Sequence, residues 1–166
     1  ALDVHSGFGA TDRLWFPYAK SRAAFPSLQQ VSALADLLDR TYPYHVYRIE
    51  PQSDAYTTAG DLWDHLYDRH RAAHPERVFV PWTLEIGSWS WIRKDPRQLF
   101  ASGGVGVFNP LRPHRYDRAM RRHMLLLDFF LRAVRNQARW SGLKSRHTEN
   151  GGDDGSAPQS EGGEPR

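Results

Sequence analysis

The chain has no cysteine. That excludes a disulfide framework, a thiolate metal site and a cysteine nucleophile, and leaves any metal or catalytic chemistry to His, Asp, Glu, Ser or Tyr. Long apolar runs are missing as well. The longest stretch, residues 124–127 followed by 129–131, is interrupted by Asp128 and is far shorter than the roughly 20 residues of a membrane span. No G-x-S-x-G elbow occurs, and Asp3, His5 and Ser6 are too close along one strand to meet as a hydrolase triad. Acidic residues are scarce late in the chain, where arginines recur from Arg112 to Arg146 and only Asp117 and Asp128 oppose them. Arginines at these spacings on an amphipathic helix read as its solvated face. No aromatic stacking platform interleaves them, so no nucleic-acid surface is expected.

What remains is ordinary globular composition, with 166 residues, 40% hydrophobic and 25% charged, enough for the core of one domain. The net charge of +3 is unevenly spread, because Asp153, Asp154, Glu161 and Glu164 make the last stretch acidic and the preceding body correspondingly basic. Residues 142–166 are rich in Gly, Ser, Asp, Glu and Pro, with almost nothing apolar after Leu143. Such a segment buries too little surface to offset its ordering entropy, and it reads as a disordered tail behind a domain spanning residues 1–141. The chain opens on Ala1, directly in a strand-like stretch, so the natural N-terminus is expected upstream and the compartment is left open.

Residues 1–5 read as the end of a buried strand, and residues 6–25 as a loop freed by Gly7 and Gly9. Ser27 with Gln30 forms a capping-box pattern, and Leu28, Val31, Leu34, Ala35 and Leu38 recur at helical spacing. Residues 44–49 fit a strand, residues 61–74 a second helix with Leu62, Trp63 and Leu66 inward, and residues 78–84 a third strand in which Pro81 suggests an edge or a bulge. A short helix is expected over 95–100. Pro113 then begins a long helix whose inward stripe reads as Met120, Met124, Leu127, Phe130, Leu131 and Val134. Alternating strands and helices indicate an α/β sandwich.

Three features carry chemistry. His5 and Ser6 stand at a strand end, where α/β sheets open into a crevice. Tyr56 is followed by Gly60, Asp64 and Tyr67, and Thr83-Leu84-Glu85 places a carboxylate at another strand end. In this order they resemble the zinc metallocarboxypeptidases of the carboxypeptidase A and B type. There a His-Ser pair supplies the third zinc ligand, a mobile Tyr precedes Gly, Asp and an aromatic at the same spacing, and Thr-x-Glu ends in the catalytic Glu. The resemblance spans roughly residues 1–91 and implies the C-terminal half of a three-layer α/β/α domain with a mixed central sheet. It implies a Zn²⁺ site with His5 as ligand, Glu85 as general base and acid, and Tyr56 as hydrogen-bond donor to a peptide substrate. Ser6 would line the substrate cleft with its backbone, and Trp63 would shape the side-chain pocket against Lys or Arg.

The family's first two zinc ligands come from a His-x-x-Glu segment, and none occurs in this sequence. The resemblance therefore places them upstream of Ala1, with the groups that hold the substrate carboxylate, and the isolated chain is expected to be inactive. His70 and His74 make an i, i+4 pair, but Arg71, Ala72 and Ala73 intervene without the Glu of a zincin helix, so they read as surface residues. Two other readings are a zinc amidohydrolase of N-acyl amino acids, similar to aspartoacylase, and a non-catalytic binding module.

Overall fold

The computed structural model describes residues 1–7 and 9–142, the side chain of Ser102 excepted. The expected tail lies outside these residues, apart from Gly142. Four short strands, β1 (Leu2–His5), β2 (Arg13–Phe16), β3 (Arg48–Pro51) and β4 (Trp82–Glu85), form one mixed sheet in the order β1-β4-β2-β3. β4 runs parallel to β1 and antiparallel to β2, and β2 is parallel to β3. The helices are α1 (Leu28–Thr41), α2 (Gln52–Ala55), α3 (Leu62–Ala73), α4 (Trp89–Ile92), α5 (Val105–Phe108), α6 (Pro113–Arg135) and α7 (Gln137–Trp140), with 3₁₀ turns over Pro96–Leu99 and Ala101–Gly104. This is the expected α/β class with a mixed sheet. None of the helices described is long and apolar enough to cross a membrane.

Side chains alternate across a strand, so the sheet has two faces of different character. Leu14 and Phe16 of β2 and Trp82 and Leu84 of β4 enter one core with Val31, Leu34 and Leu38 of α1, Tyr67 of α3, and Leu126, Phe129 and Ala133 of α6. The intervening residues, Asp3, His5, Arg13, Trp15, Glu50, Thr83 and Glu85, share the other face. The structure shows helices and a sheet joined in this core; it does not show three stacked layers.

Several elements differ from expectation. β1 is an edge strand rather than a buried one, and Val4 is 49% exposed. The supposed loop before Phe25 contains β2, a central strand made of only four residues. Pro81 marks neither edge nor bulge. It immediately precedes β4, which pairs on both sides, and a proline just outside a strand removes no ladder donor. Tyr44 is 97% exposed, and the third strand starts only at Arg48. In α1 the core face is Val31, Leu34 and Leu38, while Leu28 is exposed. Ser27 is the N-cap without a capping hydrogen bond; its hydroxyl meets Tyr67 Oη at 2.7 Å instead. In α3 the buried residues are Asp64 and Tyr67, and Leu62 points to solvent.

The largest correction concerns α6. Its buried positions are His123, Leu126, Phe129 and Ala133, whereas Met120, Met124, Leu127, Leu131 and Val134 are exposed. The helix carries two apolar stripes, and periodicity alone does not say which one meets the sheet. Phe130, at the margin, does pack against the core, its ring tilted against that of Trp82 at 5.7 Å between centroids.

Leu126→Ala should therefore destabilise the fold by about 2–5 kcal/mol, as deletion of a buried leucine does. Leu131→Ala on the outer stripe should stay within about 0.5 kcal/mol. Urea unfolding of both variants checks the assignment, and equal losses would reverse it.

Candidate active site

The polar face of the sheet is where chemistry-bearing residues gather. His5 and Glu85 are register partners on the parallel strands β1 and β4, and Arg13 faces Glu85 across the antiparallel β2–β4 pair. Arg48 continues the row on β3. A single line of side chains across four strands thus reads His5, Glu85, Arg13, Arg48. One step along lie Asp3, Thr83, Trp15 and Glu50.

Within this array His5 bridges two carboxylates. Its Nδ1 lies 3.0 Å from Glu85 Oε1 and its Nε2 lies 2.9 Å from Asp3 Oδ2. The ring is half exposed, and the Glu85 side chain is 18% exposed. Partial burial pulls the imidazole pKa down, but the hydrogen bonds to Glu85 and Asp3 and their negative charges outweigh it, so the net direction is upward. An imidazolium donates from both nitrogens and satisfies both carboxylates at once.

The loops beyond the strand ends hold this geometry. Gly7 N donates to Ile86 O at 3.1 Å, closing the turn after β1 onto the residue after Glu85. A β-carbon at Gly7 would sit 2.0 Å from Glu85 Oε2, so the carboxylate occupies space that only glycine leaves open. Gly87 is similarly confined, with Thr11 backbone atoms 2.6 Å from the place of a β-carbon. Asp12, 4% exposed, accepts from Gly87 N and from Arg122 Nη1, both at 2.8 Å. It ties the Glu85 loop to α6. Glu50 is buried, accepts from Trp15 Nε1 at 3.3 Å, and forms ion pairs with Arg13 at 3.2 Å and Arg48 at 2.5 Å.

Beside Glu85 opens a cleft of about 180 Å³, lined by Gly7, Gly9, Thr11, Arg13, Trp15, Ala55, Tyr56, Glu85, Ile86 and Gly87. Tyr56 follows α2, is 52% exposed and meets Trp15 edge to face at 5.7 Å. The structure thus brings together three of the residues singled out from sequence: His5 and Glu85 by contact, Tyr56 by a shared cleft. Ser6 is exposed and does not line that cleft. Trp63 lies on α3 against Phe79, at 6.5 Å between ring centroids, and is also absent from the cleft lining. Asp64 and Tyr67 serve the fold: Asp64 is buried and accepts from the backbone N–H groups of Ala19 and Lys20.

Sequence reasoning passed over Arg13, Trp15 and Asp12. The apolar run Leu14-Trp15-Phe16 before Pro17 was the available signal for β2, and with it for Arg13 and Trp15. Nothing local marked Asp12, whose partners lie 75 and 110 residues away.

Both ring nitrogens of His5 are held by carboxylates. A carboxylate on one ring nitrogen fixes the ring and raises the basicity of the other, as Asp3 does for the nitrogen that faces Glu85. The described residues offer no group of three or more His, Asp or Glu able to hold a metal ion. Asp3 and Glu85 occupy opposite edges of one imidazole and do not converge on a common point. Comparison with protein-family models, curated proteins and solved structures found no match.

The His5 pKa should be measurable by NMR titration of its ring protons and should lie above 6.5, the ordinary value. Because the folded value is the higher one, its contribution to stability is fully present below the unfolded pKa and is lost as pH rises through the folded pKa. Glu85→Gln and Asp3→Asn should each lower the titration midpoint. A midpoint at or below 6.5 in the parent chain would show that the two carboxylates do not hold the ring in solution.

Proposed function

We propose that this chain carries the catalytic base and one metal ligand of a zinc-dependent carboxypeptidase-like hydrolase acting on peptides. The observation that supports the reading best is the pairing of His5 with Glu85 at 3.0 Å on adjacent parallel strands. The two residues lie 80 positions apart in the sequence, and the resemblance to the zinc carboxypeptidases implies linked roles for them in one reaction. Tyr56 in the cleft beside Glu85 adds a third element of the same pattern.

In this reading His5 would hold the zinc with Asp3 orienting its ring, and the remaining ligands would come from residues other than those described. Zinc, when bound, polarises a water molecule and lowers its pKa to about 7. Glu85 would serve there as the general base, holding the water's proton at a carboxylate oxygen, and as the general acid that returns it to the leaving amine. The absence of a side chain at Gly7 leaves room for the Glu85 carboxylate. Tyr56, exposed at the cleft rim, donates a hydrogen bond to bound peptide. Arg13 is held in the cleft wall by Glu50, a carboxylate it shares with Arg48. A deacylase of N-acyl amino acids would use His5 and Glu85 in the same way; the position of Tyr56 favours the peptidase.

In the zinc-loaded enzyme, Glu85→Gln should retain zinc and lose about 10²-fold to 10⁴-fold in kcat, the usual range for a general base. His5→Ala should instead lower zinc affinity, with activity following metal occupancy. Tyr56→Phe should be milder than either. Zinc analysis and hydrolysis of a C-terminally blocked and an unblocked peptide check all three. Near-normal turnover of Glu85→Gln with zinc in place would remove Glu85 from the reaction, and equal cleavage of the blocked peptide would remove the carboxypeptidase reading.

A further inference from the structure

A second cavity lies behind the Glu85 loop, between the Ser90–Lys94 region and the first turns of α6, and its lining is strongly cationic. Lys94, Arg115, Arg118 and Arg122 converge on it, with Asp12 as the one carboxylate and His123 as the one imidazole. We propose that this cavity is a binding site for a small doubly charged oxyanion of the phosphate class, either free phosphate or a phosphate monoester.

The charge balance points to this ligand. Asp12 is committed to Arg122, and its other oxygen accepts from Gly87 N. Burial pushes the His123 imidazole below its ordinary pKa, toward the neutral form. Arg115 spends one N–H on the Trp91 carbonyl at 2.9 Å, which holds the guanidinium in place without cancelling its charge. Asp95, next to Lys94 in the chain, is taken by Arg97 and Arg112. Among the described residues, Lys94 and Arg118 have no carboxylate partner. Lys94 and Arg118 therefore face the cavity without a carboxylate, and Arg115 shares Asp95 only at longer range with Arg97 and Arg112, an excess of positive charge that a dianion matches better than a single carboxylate.

The arrangement on α6 strengthens the case. Arg115, Arg118 and Arg122 are spaced three and four apart, so they share one face of the helix, where like charges repel. Two of them sit within the first two turns, where the helix dipole is positive and no acidic side chain occupies the first turn. A helix whose cations only needed water would gain by spreading them. Here they are turned into a concavity shared with Lys94, and forked guanidinium groups suit the oxygens of a phosphate. The sequence alone reads these arginines as a solvated face; their convergence with Lys94 depends on the docking of α6 through Asp12.

The site is separate from the His5–Glu85 chemistry, and its test needs no metal. Inorganic phosphate and glycerol 3-phosphate would each be titrated calorimetrically into the chain in low-salt buffer with a chelator, with sodium chloride at matched ionic strength as control. We expect saturable binding at one site per chain. Lys94→Ala/Arg118→Ala should weaken it at least tenfold, whereas Arg69→Ala on α3 should leave it unchanged. The double variant without phosphate should unfold no earlier than the parent, because it removes mutual repulsion rather than a contact. Stronger binding of the monoester assigns the site to phosphate esters, and stronger binding of the free ion to phosphate itself. Equal affinity in the double variant and the parent, or no saturable heat beyond the chloride control, overturns the proposal.

Discussion

The register of β4 between its two neighbours is the constraint on which the rest depends. Trp82 and Leu84 point into the core with Leu14 and Phe16, so Thr83 and Glu85 must point the other way. A slip of one residue would put Glu85 into the apolar core and Leu84 into water, a change penalised both by a buried charge and by lost apolar burial. The same parity carries β1, where His5 is set beside Glu85 because Leu2 packs toward the core. The core therefore sets the position of the site.

Buried carboxylates do the corresponding work in the loops. Asp12, Glu50 and Asp64 are all nearly inaccessible, and each is satisfied by backbone N–H groups or by arginine. A buried charge with these partners is tolerated, and removal of one partner leaves the other stranded. Asp64 pins the segment after β2 to α3, Glu50 pins β3 to β2, and Asp12 pins α6 to the turn after Glu85. Polar groups far apart in sequence thereby define where the cleft opens and where the cationic cavity forms on its far side.

Much was readable before the structure, for definable reasons. His5, Tyr56 and Glu85 were singled out by their order and by their places at strand ends or in a loop, and the structure sets them around one cleft or in direct contact. Helices α1, α3 and α6 were announced by apolar periodicity, and the structure adds that Asp61 caps α3 through the N–H groups of Trp63 and Asp64. β2 was overlooked because four residues between glycines and a proline carry too little pattern to compete with a loop. Trp63 illustrates the converse: its spacing from Tyr56 is regular, yet the helix turns it toward Phe79 and away from the cleft.

The sequence by itself determined the class of the fold, the absence of thiol chemistry, and which histidine and which carboxylate stand at strand ends, because these follow from residue identity and from interactions within a few positions of the chain. Tertiary structure alone decided which stripe of α6 faces the sheet, that Asp3 and Glu85 take opposite nitrogens of one imidazole, and that three arginines meet a lysine around a single cavity. Apart from the Asp3–His5 contact within β1, each of those outcomes rests on contacts between segments distant in the chain. Such contacts are selected by the packing of a shared core and the pairing of buried charges, and no local pattern encodes them.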